Sequence, residues 1–384
     1  MKIVYLSNHV GQLDFDLIVK NAKVKPNPAG QNFHGKLIDA FASQFEVTCF
    51  SLVPTSEDCF KKKVGIKGNG IPHYYFYPPK RKILPTALTL PGKIIKSATS
   101  LFPHIQGDEV LIVYDTLNVA LSRTAKKLSR KWQCKRLAIC TDDPFNISGV
   151  GETYMSSVLS LSKDADGYFC LTKGLEEIFN ARNNPYMIHM GIVEETKDLS
   201  VPEKEPYIYY GGALFHKDGT DALLGAYQKA KPNCKLIISG HGPSEGKVKE
   251  AAKENPNIVF LGQISKQENY AYEAGATLCI NPRLYRGYLD KCSVPSKVIE
   301  YLSLCSCVAS TLSTPIKNIY PEAINWIDSD PEKAEELLIS FFLSHMDEKG
   351  NLSGLKENPV KERILIDYGV INTGKKLAEF ISSL

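Results

Sequence analysis

The segment Tyr210-Gly211-Gly212-Ala213-Leu214-Phe215-His216-Lys217-Asp218-Gly219 combines a glycine pair with a cation, and that combination suits an anion. Paired glycines let backbone N–H groups approach a phosphate, Lys217 can neutralise it, and a helix starting near Thr220 adds its positive N-terminal end. A plain tight turn would call for the same glycines. The pattern is neither Gly-x-Gly-x-x-Gly nor a Walker loop, so neither NAD nor a P-loop nucleotide is indicated. Two more small-residue loops follow apolar runs, Ser239-Gly240-His241-Gly242-Pro243 and Gly262-Gln263-Ile264. Three such loops in succession make a crevice where a base and its ribose can lie against backbone.

Asn281-Pro282-Arg283 and then Ser293-Val294-Pro295-Ser296-Lys297-Val298-Ile299-Glu300-Tyr301-Leu302 form the most specific stretch. Pro295 or Ser296 opens a helix, with Ser as a favoured cap, so the N–H groups of Ser296 and Lys297 point outward toward a second phosphate contact. Val298, Tyr301, Leu302 and Cys305 supply the buried stripe. Glu300 lies off it, where a carboxylate accepts two hydrogen bonds from a ribose diol or is simply a solvated helix residue. In the first half, Asp142 and Asp143 follow an apolar run; either could orient an acceptor hydroxyl or a donor sugar, or cap a turn.

Short β-branched runs alternating with helical periodicity must position these loops, which predicts βα units and parallel sheets. Strands are expected at Lys2–Leu6, Val47–Leu52, His73–Tyr77, Val110–Tyr114, Arg136–Cys140, Gly167–Leu171 and Met187–His189, with helices at Gln31–Ser43, Leu117–Lys131, Tyr154–Ser162 and Lys173–Ala181. The pattern restarts with strands at Tyr207–Tyr210, Lys235–Ser239, Ile258–Leu261, Thr277–Ile280 and Cys307–Ser310. Helices are expected there at Thr220–Lys231, Ser244–Glu254, Lys266–Ala274, Ser296–Leu304 and Pro331–Phe342. With 384 residues, this is an α/β chain of two doubly wound, Rossmann-like domains, 1–190 and 191–370, joined through Gly191–Pro206.

Apolar residues make up 43% and charged residues 23%, the balance of an ordinary globular protein. The ten cysteines show no metal-finger spacing and read as buried free thiols of a reducing cytosol. Neither a signal peptide nor a run near the roughly 18 apolar residues of a membrane span is found, so a cytoplasmic location is expected. Residues 1–190 carry 24 cations against 16 acids, and the remainder 22 against 26. Lys61, Lys62, Lys63, Lys67, Lys80, Arg81, Lys82, Lys93 and Lys96 lie in one acid-free stretch with Ile83, Leu84, Leu88, Leu90, Ile94, Ile95, Leu101 and Phe102 interleaved. Such a stretch suits an anionic membrane or lipid-phosphate acceptor, or is a solvated loop and helix face. No nucleic-acid motif accompanies it.

In the order of these motifs the chain resembles the family-4-type retaining GT-B glycosyltransferases over residues 206–310. Asn-Pro-Arg followed by Pro-Ser-Lys-x-x-Glu-Tyr is similar to the subgroup that assembles capsular, exopolysaccharide and lipopolysaccharide glycans. The first strand, the Pro28-Ala29-Gly30-Gln31 turn and Asp142-Asp143 match more loosely. The resemblance implies two Rossmann-like domains facing a cleft, the first for the acceptor and the second for the nucleotide-sugar, with helix Ile371–Leu384 packing back on the first. It implies sugar transfer from a UDP- or GDP-sugar to a lipid-linked or oligosaccharide acceptor with retention, the nucleotide-sugar being a co-substrate and no cofactor or metal being required. Catalytic roles are implied for Asp142, Asp143 and Lys217, and donor contacts for Gly30, Gly211, Gly212, Lys217, Gly240, Gly262, Gln263, Ile264, Arg283, Pro295, Ser296, Lys297 and Glu300. The first Glu of the family's Glu-x7-Glu falls on Cys292, with Asp290 nearby as a substitute for binding the sugar, and the family's Arg and Lys fall on Ala213 and Asp218. A UDP-sugar hydrolase or epimerase, or a catalytically silent GT-B partner or glycan-binding module, is the alternative.

Overall fold

A computed structural model describes residues 1–24, 26, 28–57, 60–66, 70–79, 86–147, 150–196, 198–284, 287 and 289–384, the side chains of 289 and 290 excepted. The chain divides into two units, Met1–Ile192 with Tyr368–Leu384, and Val193–Asp367.

The first unit runs β1 (Lys2–Ser7), α1 (Gln12–Asn21), α2 (Pro28–Ala42), β2 (Glu46–Leu52), β3 (Val64–Ile66), β4 (Pro72–Phe76), α3 (Thr86–Leu101), β5 (Val110–Asp115), α4 (Val119–Trp132), β6 (Arg136–Cys140), α5 (Glu152–Ser162), β7 (Gly167–Cys170), α6 (Lys173–Phe179) and β8 (Tyr186–Ile188). Its sheet has the order β3-β4-β2-β1-β5-β6-β7-β8, parallel except for β3. Ile3, Val4, Tyr5 and Leu6 of β1 are all fully buried, as expected for a central parallel strand covered on both faces. The element α4 starts where the Asn118 side chain accepts from the N–H groups of Ala120 and Leu121, and it buries Leu121, Ala125, Leu128 and Trp132 on one stripe.

The second unit runs β9 (Tyr207–Ala213), α7 (Thr220–Ala230), β10 (Lys235–His241), α8 (Glu245–Glu254), β11 (Ile258–Gly262), α9 (Lys266–Gly275), β12 (Leu278–Asn281), α10 (Leu289–Cys292), α11 (Ser296–Leu304), β13 (Val308–Thr311), α12 (Thr314–Ile319), β14 (Asn325–Ile327), α13 (Ala334–Ser344) and α14 (Lys361–Tyr368). All its strands are parallel, in the order β11-β10-β9-β12-β13-β14. The winding reverses between β9 and β12. In such sheets the crevice lies beyond the carboxyl ends of the two strands flanking the reversal. The final helix, α15 (Val370–Ser382), lies on α2 within the first unit; Leu377 and Ile381 are buried there, and a Cβ at Gly374 would lie 2.4 Å from the Ala40 carbonyl oxygen.

Several elements differ from the sequence expectation. The helices α1, α3, α10, α12 and α14 and the short strands β3 and β14 were not expected, and α13 sits three residues later than Pro331. Strand β9 continues through Gly211 and Gly212 to Ala213, because those residues pair with Ser239, Gly240 and His241 of β10. The helix α2 begins at Pro28, so Gly30 belongs to its first turn rather than to a turn ahead of it.

Candidate functional site

The carboxyl ends of β9, β10 and β12 meet at the reversal. Gly240 has φ +135°, and a Cβ on it would lie 1.8 Å from the Gly212 carbonyl oxygen, so this glycine permits close strand approach. Gly211 answers a similar demand, since a Cβ there would lie 2.7 Å from Asn269 Oδ1. Its N–H donates to the Tyr301 hydroxyl at 3.0 Å, which corrects its expected role as a phosphate donor. Gly212 is partly exposed and has room around it, the nearest atom being the Tyr210 hydroxyl at 3.7 Å. Gly240 is partly exposed as well as packed against the Gly212 carbonyl.

After β9, the turn His216–Asp218 exposes Lys217, whose ammonium stands 5.3 Å from the centre of the Phe215 ring. Gly219, with φ +79°, precedes α7, and a Cβ on it would meet the Pro282 carbonyl oxygen at 1.9 Å. Leu284 N–H donates to the Lys217 carbonyl at 3.1 Å. The loops after β9 and β12 therefore lie directly on each other. Arg283 Nη1 donates to Ser293 Oγ at 3.1 Å, which ties the β12 loop to the approach of α11, and the Thr311 hydroxyl donates to the Arg283 carbonyl, which ties it to the end of β13.

Pro295 is the cap residue of α11, and Ser296 is its exposed first residue, so the serine hydroxyl is not the cap. The helix is fixed to β9 by Tyr301, whose hydroxyl also donates to the Gly211 carbonyl at 3.2 Å. Glu300 is partly buried among polar partners: its Oε1 accepts from Lys297 Nζ at 2.7 Å and lies 3.5 Å from Asn269 Nδ2. Lys297 Nζ also lies 3.4 Å from Oε1 of Glu273, a fully buried carboxylate on α9. Burial alone would lower the Lys297 pKa, but the Glu300 and Glu273 carboxylates raise it above the usual lysine value, so it stays a cation. Glu273 is held well above the usual carboxylate range by burial and then by the nearby charge of Glu300. The sequence reading missed Glu273, because nothing in its own helix announces a partner on α11.

Gly262 has φ +67° and open space on its Cβ side; Gln263 is exposed, Ile264 is partly buried, and Ser265 caps α9 in a capping box with Glu268. Cys292 is 1% exposed and offers no surface to a sugar hydroxyl, which corrects that candidate. The Asp290 side chain lies outside the described residues.

In the first unit Asp142 is exposed. Asp143 is buried, with Oδ1 accepting from Phe145 N–H at 2.9 Å and Oδ2 from Asn146 Nδ2 at 3.0 Å, so it caps its own turn. Gly30 is exposed, with open space around it, and its neighbour Gln31 is anchored by amide contacts to both backbone groups of Val10. Of the basic stretch, Lys61, Lys63, Lys93 and Lys96 are exposed, and Lys62 pairs with Asp14 at 2.6 Å. Lys67, Lys80, Arg81, Lys82, Ile83 and Leu84 lie outside the described residues. Leu90 and Ile94 are buried in the unit, which leaves Leu88 and Leu101 as the exposed leucines of α3. Among the described residues no group of three or more His, Cys, Asp or Glu is placed to hold a metal ion, and no helix is long and apolar enough to cross a membrane.

Residues 192–347 match the family model Glycosyl transferases group 1. Among curated proteins none matches the chain. Solved structures that resemble it include a sucrose-phosphate synthase from Thermosynechococcus elongatus, with TM-score 0.66 and 14% identity over 100% of this chain and 99% of that one. The Anabaena protein HepE in complex with UDP gives TM-score 0.63 and 13% identity over 100% of both chains. The lipopolysaccharide outer core galactosyltransferase WaaB in its apo form gives 0.60 and 14%, over 100% of this chain and 99% of that one. The chain thus has the GT-B fold, two Rossmann-like units of parallel sheet, and the second unit carries the Glycosyl transferases group 1 match.

Proposed function

We propose that the chain transfers a sugar from a UDP- or GDP-sugar to a hydroxyl of a lipid-linked or oligosaccharide acceptor, with retention, in the synthesis of a surface polysaccharide. The observation that carries this reading is the convergence at the sheet reversal of the second unit. Gly212, Lys217, the open first turn of α11 at Ser296 and Lys297, and Glu300 all belong to segments tied together by Tyr301 on Gly211 and by Pro282 on Gly219. Amides at a helix start plus a lysine suit a diphosphate, and stabilising that leaving group is the main task of the reaction. Glu300 would accept from the ribose diol, while Gly262, Gln263 and Ile264 would border the base. Relatives of the same fold solved with UDP or UDP-glucose add to the support.

The first unit would take the acceptor, whose hydroxyl the exposed Asp142 would orient. Lys61, Lys63, Lys93 and Lys96 would meet an anionic leaflet or lipid phosphate. No metal is invoked for any of these steps. The buried Cys292 favours a second reading, a GT-B partner without transferase activity. Titration calorimetry of the full chain with UDP and GDP tests both: micromolar binding of one nucleotide supports the transferase, and binding of neither contradicts it. Product analysis with and without acceptor separates transfer from hydrolysis or epimerisation.

A further inference from the structure

Glu273 is fully buried, and only 3.4 Å separates its Oε1 from an ammonium that Glu300 also holds. Asn269, one turn earlier on α9, donates to the same Glu273 oxygen and lies 3.5 Å from Glu300 Oε1. Asn269 is itself fixed from the sheet: Tyr209 O–H donates to its Oδ1 at 2.8 Å and meets Ser239 Oγ at 2.6 Å. A continuous polar network thus runs from β10 and β9 through α9 to the carboxylate of α11. Burying an acid is costly, and replacing a buried ion pair by apolar groups is often neutral or stabilising, so stability alone does not account for Glu273. With two carboxyl groups on one ammonium, neither acid holds Lys297 exclusively. Without the Glu273 carboxyl as a partner, Lys297 turns wholly to Glu300, competing with any diol for that carboxylate.

We propose that Glu273 is a positioning residue for ribose recognition, sharing Lys297 with Glu300 so that Glu300 stays oriented and strongly accepting toward the diol of a bound nucleotide. This rests on the reading of Glu300 as the ribose ligand. Calorimetric titration of the full chain with UDP and 2′-deoxy-UDP, or GDP and 2′-deoxy-GDP where that is the nucleotide bound, separates the two claims. Wild type should prefer the ribonucleotide by about tenfold or more, the scale of a hydrogen bond to a charged group. Glu273→Gln keeps the shape and removes the acid; its preference should fall below about threefold, with deoxynucleotide affinity little changed. Lys297→Met should lower the preference in the same way, and adding Glu273→Gln to it should change nothing further. Either single variant with the wild-type preference overturns the proposal, as does an additive double variant. A wild type that binds both nucleotides equally overturns the underlying ribose reading instead, and the proposal falls with it.

Discussion

Asp143 and Glu300 illustrate how far a residue type can be read before its neighbours are known. Glu300 was legible because its helix start and its buried stripe can be read locally, and its carboxylate lies one turn inside α11 with polar partners. Asp143 had two readings in the sequence, and its own turn decides between them by taking both oxygens. Replacing it with alanine should therefore cost about 1 kcal/mol of stability, as losing a cap does, read as a lower urea midpoint. A midpoint equal to that of wild type would contradict the assignment. Glu273 and the Tyr301 hydroxyl could not be read at this scale, since their partners lie 24 and 90 residues away in sequence.

Among the elements, the long β-branched strands and capped helices were legible from periodicity, and most boundaries shift by one to three residues. What local pattern missed was either interrupted or short. Pro91 stands inside α3, where proline ordinarily argues against a helix, and β3 and β14 have three residues each. The glycines at the end of β9 read as loop because glycine disfavours strand, yet pairing with β10 extends the strand over them. This pairing sets a test. Gly240→Ala places a methyl group against the Gly212 carbonyl at an unfavourable φ, and should destabilise the chain by more than about 3 kcal/mol. Gly30→Ala, on an open helix turn, should stay within about 1 kcal/mol of wild type in the same denaturant titration. A tolerated Gly240→Ala would show that the strand ends are not packed as described.

Across the whole molecule, doubling of the βα pattern was readable from the chain, as was a terminal helix; its packing on the first domain was implied only by resemblance, and α2 as its partner was not legible. Ending the chain at Asn372 removes Leu377 and Ile381 from the first unit, each worth about 2 kcal/mol of burial. Hydrogen exchange should then speed up in α2 and β1, and unchanged protection there would contradict the packing. The role assigned to the second unit is tested most directly by a crystal structure of the full chain grown with the nucleoside diphosphate it binds. The diphosphate should lie within hydrogen-bond distance of Gly212, Lys217 and the Ser296 N–H, with a ribose hydroxyl on Glu300. A nucleotide bound away from the reversal between β9 and β12, or with its ribose turned from Glu300, would contradict the account.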